Sequence, residues 1–142
     1  MVRGSCLCGE VAFLVEGDLA PIQLCHAVRC RKATGSAAAP EMLAPANGLK
    51  WVRGRGRVRI YEAPLLTEPP RYRRAFCEHC GSPLPVEIDG SGFVILNPGV
   101  LDDDPGTREF RHAFVEQKAD WHKIAGDLPT FPGRPPGPGE ET

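Results

Sequence analysis

The chain has 142 residues, 17 Lys and Arg against 18 Asp and Glu, and a formal net charge of −1. That length suits one domain with its own core, and the balanced charge excludes a wholly basic nucleic-acid-binding surface. No apolar run approaches the ~20 residues of a membrane span, and Met1-Val2-Arg3 runs straight into a cysteine motif, so no signal peptide and a cytoplasmic location are expected.

In a reducing compartment six cysteines favour metal over disulfides. The first two stand in Gly4-Ser5-Cys6-Leu7-Cys8-Gly9. In an extended CxC both side chains point the same way, so two sulfurs can face one ion. Glu10–Glu16 reads as a strand that is apolar on both faces, with Val11, Phe13 and Val15 on one and Ala12 and Leu14 on the other. After a turn at Gly17-Asp18, residues 22–26 form a second short strand leading into Cys25-His26-Ala27-Val28-Arg29-Cys30-Arg31-Lys32-Ala33-Thr34-Gly35-Ser36. Residues 36–43 are small and apolar and read as a strand, and Asn47-Gly48 is a turn.

Leu49–Val52 and Val58–Tyr61 read as strands around Arg53-Gly54-Arg55-Gly56-Arg57. Between Lys50 and Arg74 lie eight basic residues and two acidic ones. Arg57 and Arg59 alternate with Val58 and Ile60 and share a face. This is either a solvated sheet face or an anion-binding wall for a carboxylate-bearing small molecule. Nucleic acid is an unlikely partner, since Arg-Gly spacing near Trp51 and Tyr61 resembles a stacking platform only weakly. Pro64–Pro70 is a proline-rich loop, and Arg71–Phe76 is a strand.

Next comes Phe76-Cys77-Glu78-His79-Cys80-Gly81-Ser82-Pro83-Leu84-Pro85. A CxxC followed by Gly is a metal knuckle, because Gly lets the backbone curl past an ion. A redox CxxC normally opens a helix, and Pro83 and Pro85 oppose one here. Cys6, Cys8, Cys77 and Cys80 therefore make a four-sulfur set suited to a closed tetrahedral zinc. A redox dithiol or buried inert cysteines remain the alternatives. Structural zinc carries ~10–16 kcal/mol of apparent binding energy in small modules, as much as a typical domain's whole stability.

Pro85–Ile88 and Phe93–Leu96 flank Asp89-Gly90-Ser91-Gly92 as a hairpin. An acidic turn follows over residues 97–106, then a strand over Phe110–Val115 and a short turn at Lys118-Ala119-Asp120-Trp121. Leu128-Pro129-Thr130-Phe131 tucks the chain back. From Pro132 on, the Pro- and Gly-rich sequence has nothing to bury and reads as disordered. The expectation is all-β, eight or nine short strands and no helix beyond about two turns, with a folded domain over 1–131 and a tail over 132–142.

Six stretches in this order, the CxC knuckle, Cys25–Ser36, the CxxC knuckle, Gly99-Val100-Leu101-Asp102-Asp103, His112–Trp121 and Leu128–Phe131, resemble the glutathione-dependent formaldehyde-activating enzyme family, which includes centromere protein V. The resemblance spans residues 3–131. It implies a β-tent of two small antiparallel sheets clasped by a structural zinc on Cys6, Cys8, Cys77 and Cys80. It also implies condensation of formaldehyde with glutathione to S-hydroxymethylglutathione, a carbon–sulfur lyase reaction in reverse, with a second zinc on a Cys-His-Cys-x-x-Cys pattern.

A zinc with three protein ligands keeps an open position and turns a bound thiol into a thiolate. Here Ala27 takes the middle position, leaving Cys25 and Cys30 as the catalytic candidates. His26 is its neighbour, but side chains of adjacent extended residues point apart; a hydrogen-bonded or exposed role is expected for it rather than ligation. His79, His112 and His122 are read as structural or solvated. Arg29, Arg31, Lys32, Arg57 and Arg59 are candidates for holding the carboxylates of a glutathione adduct. About one zinc per chain is expected, the second being doubtful. The alternatives are a non-catalytic zinc-scaffolded binding module for a small anion, protein or nucleic acid, and metal-free thiol chemistry at Cys25 or Cys30 helped by Arg29, Arg31 and Lys32.

Overall fold

In a computed structural model, residues 1–63 and 72–137 are described. The proline-rich loop expected at 64–70 lies outside them. The chain is mostly β, with eleven short strands and one seven-residue helix among the described residues. The strands outnumber the eight or nine expected, partly because Pro83–Leu84 after the knuckle pairs as a strand of its own. The backbone groups two compact units, each built from two stretches of chain.

The first unit comprises Met1–Pro21 and Glu41–Thr107. Strand β1 (Val2–Ser5) runs antiparallel to β2 (Ala12–Val15), with Gly4 opposite Phe13. Only glycine fits there, because a Cβ on Gly4 would lie 2.2 Å from Phe13 Cζ. The other edge of β2 pairs with β5 (Leu49–Arg53), where Trp51 meets Phe13 edge-on at 6.0 Å. Val11, Ala12, Phe13 and Val15 are all buried, as expected of a strand apolar on both faces. In the same unit β6 (Val58–Glu62), β7 (Arg73–Cys77) and β8 (Pro83–Leu84) form an antiparallel ladder. The expected hairpin is present as β9 (Val86–Ile88) and β10 (Phe93–Leu96), and β10 pairs on its other side with β4 (Ala39–Pro45).

The acidic turn has a structural task in this unit. Arg3 donates to Asp103 from its backbone N–H (2.9 Å), Nε (3.0 Å) and Nη2 (2.8 Å). Ser5 Oγ donates to Asp102, and the Asp102 N–H donates to the Arg3 carbonyl at 2.7 Å. The turn thereby braces the strand that delivers Cys6. The guanidinium of Arg3, hydrogen-bonded to Asp103, holds that carboxyl down at about 2.

The second unit comprises Ile22–Pro40 and Arg108–Thr142. Here β3 (Ile22–Cys25) pairs in parallel with β11 (Glu109–Ala113), one parallel pair where only antiparallel sheets were expected. Helix α1 (Val28–Thr34) follows directly. Its N-cap, Ala27, has no capping side chain, and Gln117 Oε1 instead accepts the Val28 N–H at 2.9 Å. Gly35 ends it in the left-handed region with φ 65°.

Of the stretch expected as a tail over 132–142, residues 132–137 are described, and they are hydrogen-bonded to the segment after β11. Phe114 is held at φ 56°, a left-handed conformation uncommon for a bulky residue. Its N–H donates to the Gly133 carbonyl at 3.1 Å, and the Glu116 N–H donates to Pro132 O at 3.1 Å. Arg111 Nη1 donates to Pro136 O at 3.1 Å, and Pro135 is buried. Residues 132–137 thus have structure to supply: their carbonyls satisfy donors of the segment after β11. Composition predicted disorder because it does not register a strap held by its own backbone acceptors.

Candidate functional site

In the first unit the two knuckles meet. The Cys6 N–H donates to Val11 O and the Gly9 N–H to Cys6 O, both at 3.0 Å, curling the CxC loop. At the other knuckle the Gly81 N–H donates to Cys77 O at 2.8 Å and the Cys77 N–H to Ser82 O at 3.0 Å, with Gly81 at φ 78°. The result brings the sulfurs of Cys6, Cys8, Cys77 and Cys80 within 4.8 Å of one another. Cys6 and Cys8 sulfurs lie 3.5 Å apart, and Cys8 and Cys77 sulfurs 3.8 Å. Four thiolates about 2.3 Å from a tetrahedral zinc stand about 3.8 Å apart. No disulfide is formed among them, and the donor set fits zinc.

Against desolvation, hydrogen bonds favour the thiolate form at Cys6 and Cys80. The Val11 N–H donates to Cys6 Sγ at 3.3 Å. The Ser82 hydroxyl and its backbone N–H draw the Cys80 thiol down to about 5. At Cys8 a bond from the Glu10 backbone pulls the other way, but desolvation and the sulfurs of Cys6, Cys80 and Cys77 outweigh it and push the thiol up to about 12. Crowded sulfurs resist gathering charge until a cation offsets it. Ser82 also takes the Leu7 N–H at 2.8 Å, tying one knuckle to the other. The sequence offered only a hydroxyl just after the knuckle as a signal for that role.

In the second unit Cys25 ends β3 and Cys30 sits on the first turn of α1. Both are buried, at 2% and 4% exposure, with sulfurs within 4.8 Å of each other. Ala27 is 3% exposed between them. His26 is fully buried, and its Nε2 shares a hydrogen bond with His112 Nδ1 at 2.9 Å. Burial, with the charges of His112, His122, Lys118 and Arg31, lowers its pKa to about 4, so it is neutral at physiological pH. Its Nδ1 is buried without a hydrogen-bond partner among the described residues. The expected hydrogen-bonded role therefore fits His26; the partner was invisible in sequence because it lies 86 residues away. The His122 ring lies 5.9 Å from that of His26, held by Lys118 Nζ donating to His122 O at 2.7 Å.

Arg29, Arg31 and Lys32 lie on α1. Arg29 is exposed and its guanidinium lies 5.8 Å from the centroid of the Phe114 ring. Lys32 is exposed, whereas Arg31 buries its Nε without a partner among the described residues. Arg57 and Arg59 belong to the first unit and are engaged there. Arg57 Nη1 lies 3.1 Å from Glu78 Oε1, Arg59 Nη2 pairs with the other Glu78 oxygen, and Arg59 Nη1 donates to Gly56 O at 2.9 Å. The face read from alternation is in part an ion-pair network around Glu78, a carboxylate of the CxxC knuckle, which speaks against a free anion-binding wall.

Fold and site define a mostly-β protein with one cysteine cluster suited to a closed metal site and a separate pair of buried cysteines. The model of the glutathione-dependent formaldehyde-activating enzyme family matches residues 1–117, and the chain belongs to that family. A crystal structure of a Rhodobacter sphaeroides protein is similar in fold, with a TM-score of 0.57 and 23% identity over 75% of this chain and 98% of that one. No curated protein matches the chain. No helix among the described residues is long and apolar enough to cross a membrane.

Proposed function

We propose that the protein is a carbon–sulfur lyase acting on an adduct of glutathione, or a similar small thiol, with an aldehyde. Family membership supports the glutathione and formaldehyde chemistry. The observation that carries the site is the buried Cys25–Cys30 pair beside a short helix bearing Arg29, Arg31 and Lys32. Cys6, Cys8, Cys77 and Cys80 would hold a structural zinc, which when bound clasps the two knuckles and takes no part in the reaction. A zinc on three cysteines does not fit residues 25–30, because Ala27 stands at the middle position and offers no ligand.

Cleavage of a hydroxymethyl thioether breaks the C–S bond. The hydroxyl loses its proton, its electrons form the C=O bond, and the sulfur leaves with the former bonding pair and takes up a proton. A thiol donates a proton as –SH and accepts one as –S⁻, so two cysteines this close can serve both ends of that transfer. Arg31, with its buried Nε, is the strongest of the cationic candidates for a substrate carboxylate. The binding-module alternative draws less support, because Arg57 and Arg59 are already paired with Glu78.

The test follows adduct cleavage and formation by NMR with zinc counted per chain. Wild type should turn over with about one zinc, and Cys25→Ser and Cys30→Ser should each lose activity by at least about 100-fold, the scale of a lost acid–base group, while keeping that zinc. Ala27→Cys should raise the count to about two. Two tightly held zincs in the wild type would overturn the assignment of residues 25–30, and full activity in both serine variants would remove the cysteines from the chemistry.

A further inference from the structure

A second group of metal-ligating side chains shares one sulfur with the four-cysteine cluster. Cys8 Sγ, a Glu10 carboxylate oxygen and a His79 ring nitrogen all lie within 4.8 Å of one another. His79 Nδ1 and Glu10 Oε1 are 3.3 Å apart. Nitrogen and oxygen ligands about 2.0–2.1 Å from a tetrahedral zinc stand about 3.3–3.4 Å apart, so this pair already has ligand spacing. The group is accessible: Cys8 is an exposed residue, and the His79 and Glu10 side chains are 62% and 38% exposed. Both newcomers sit on the knuckles themselves, Glu10 two residues past Cys8 and His79 between Cys77 and Cys80.

We propose that Cys8, Glu10 and His79 form a transfer site, where a zinc ion rests on its way into and out of the four-cysteine centre. The proposal depends on the reading that Cys6, Cys8, Cys77 and Cys80 hold zinc. A closed four-thiolate centre has no open position, so a direct exchange must bring a new ligand in as an old one leaves. Cys8 belongs to both groups, and a thiolate can bridge two positions of an ion. A carboxylate and an imidazole beside it supply the outgoing ion with ligands before its bonds to Cys6, Cys77 and Cys80 are gone. For an inbound ion the order reverses, and the thiols release their protons to solvent as the metal replaces them. One group opposes the cation: Arg57 Nε lies 3.6 Å from the second Glu10 oxygen. Arg57 also binds Glu78, so it tempers the site without filling it.

The experiment incubates the zinc-loaded protein with excess zinc of an enriched isotope and follows replacement of the bound metal by mass spectrometry. Zinc content and melting temperature are measured alongside. Glu10→Gln and His79→Ala should each slow exchange by about tenfold or more, the lower range for losing a partner around a metal, with content unchanged. Arg57→Gln should speed it. The signs separate the two roles, since a contact that only braced the knuckles would, when removed, loosen the clasp and speed exchange. Exchange as fast as wild type, or faster, in both Glu10→Gln and His79→Ala overturns the transfer site while leaving the four-sulfur zinc intact. Protein that purifies folded and free of zinc overturns that underlying reading, and the transfer site with it.

Discussion

The two groups of cysteines are held in opposite ways. In the first unit four sulfurs converge from two knuckles, with Cys8 at the surface and backbone N–H groups aimed at Cys6 and Cys80. In the second, Cys25 and Cys30 lie almost wholly buried around Ala27 and a neutral, buried His26. A complete donor set with its own hydrogen-bond donors is suited to hold a metal. The buried pair is the one to which we assign the proposed reaction, since proton transfer and charge interactions are stronger where water is excluded. The contrast teaches that cysteine count alone is a poor guide: what surrounds each sulfur differs between the two groups.

The largest expected effect tests the clasp. Cys77→Ser leaves three sulfurs, and with ~10–16 kcal/mol of apparent binding energy at stake in such centres the variant should lose its zinc and its cooperative melt together. A cooperative melt near the wild-type temperature without zinc would break the comparison at its stronger side. Deleting Pro132–Thr142 tests the second unit. It removes acceptors for the Phe114 and Glu116 N–H groups and for Arg111, three bonds that together contribute about 2–4 kcal/mol. Chemical denaturation should show that loss with zinc content unchanged; an unaltered midpoint would return these residues to the role of a dispensable tail.

A pH titration sharpens the contrast further. An unfolded chain binds a proton at His26 near the ordinary value of ~6.5, whereas the folded protein resists until about 4. Between those values the unfolded state holds more protons, so this contribution is present above pH ~6.5 and is lost as pH falls toward about 4. Imidazole NMR signals should place the His26 midpoint near 4; a midpoint near 6.5 would mean that the pocket is open to water. The smallest effect belongs to the brace beside the first knuckle. Asp103, held at about 2 by Arg3, contributes above the ordinary carboxyl value of ~3.9 and loses that contribution as pH falls through about 2. Asp103→Asn should lower the melting temperature slightly in low salt and negligibly in ~1 M salt, where exposed ion pairs are screened. A large drop in high salt would show that the brace acts through packing.

The sequence by itself determined the short-range features. The strand at Ala12–Val15, the hairpin around Asp89–Gly92 and both knuckles follow from alternation, glycine and cysteine spacing within about ten residues, where local geometry leaves few options. The four-sulfur set was legible too, because tetrahedral zinc demands four soft ligands and CxC plus CxxC supplies them. Tertiary structure alone decided the rest. Nothing near His26 announces His112, and no cap signal in Ala27-Val28 announces Gln117 as the acceptor that starts α1. Arg57 and Arg59 alternate like a binding face, yet Glu78 takes both charges once β6 and β7 pair. Residues 132–137 look unstructured because composition registers side chains to bury, whereas their backbone carbonyls are what the segment after β11 uses. Pairings across many residues depend on which strands meet, and no local pattern encodes that meeting.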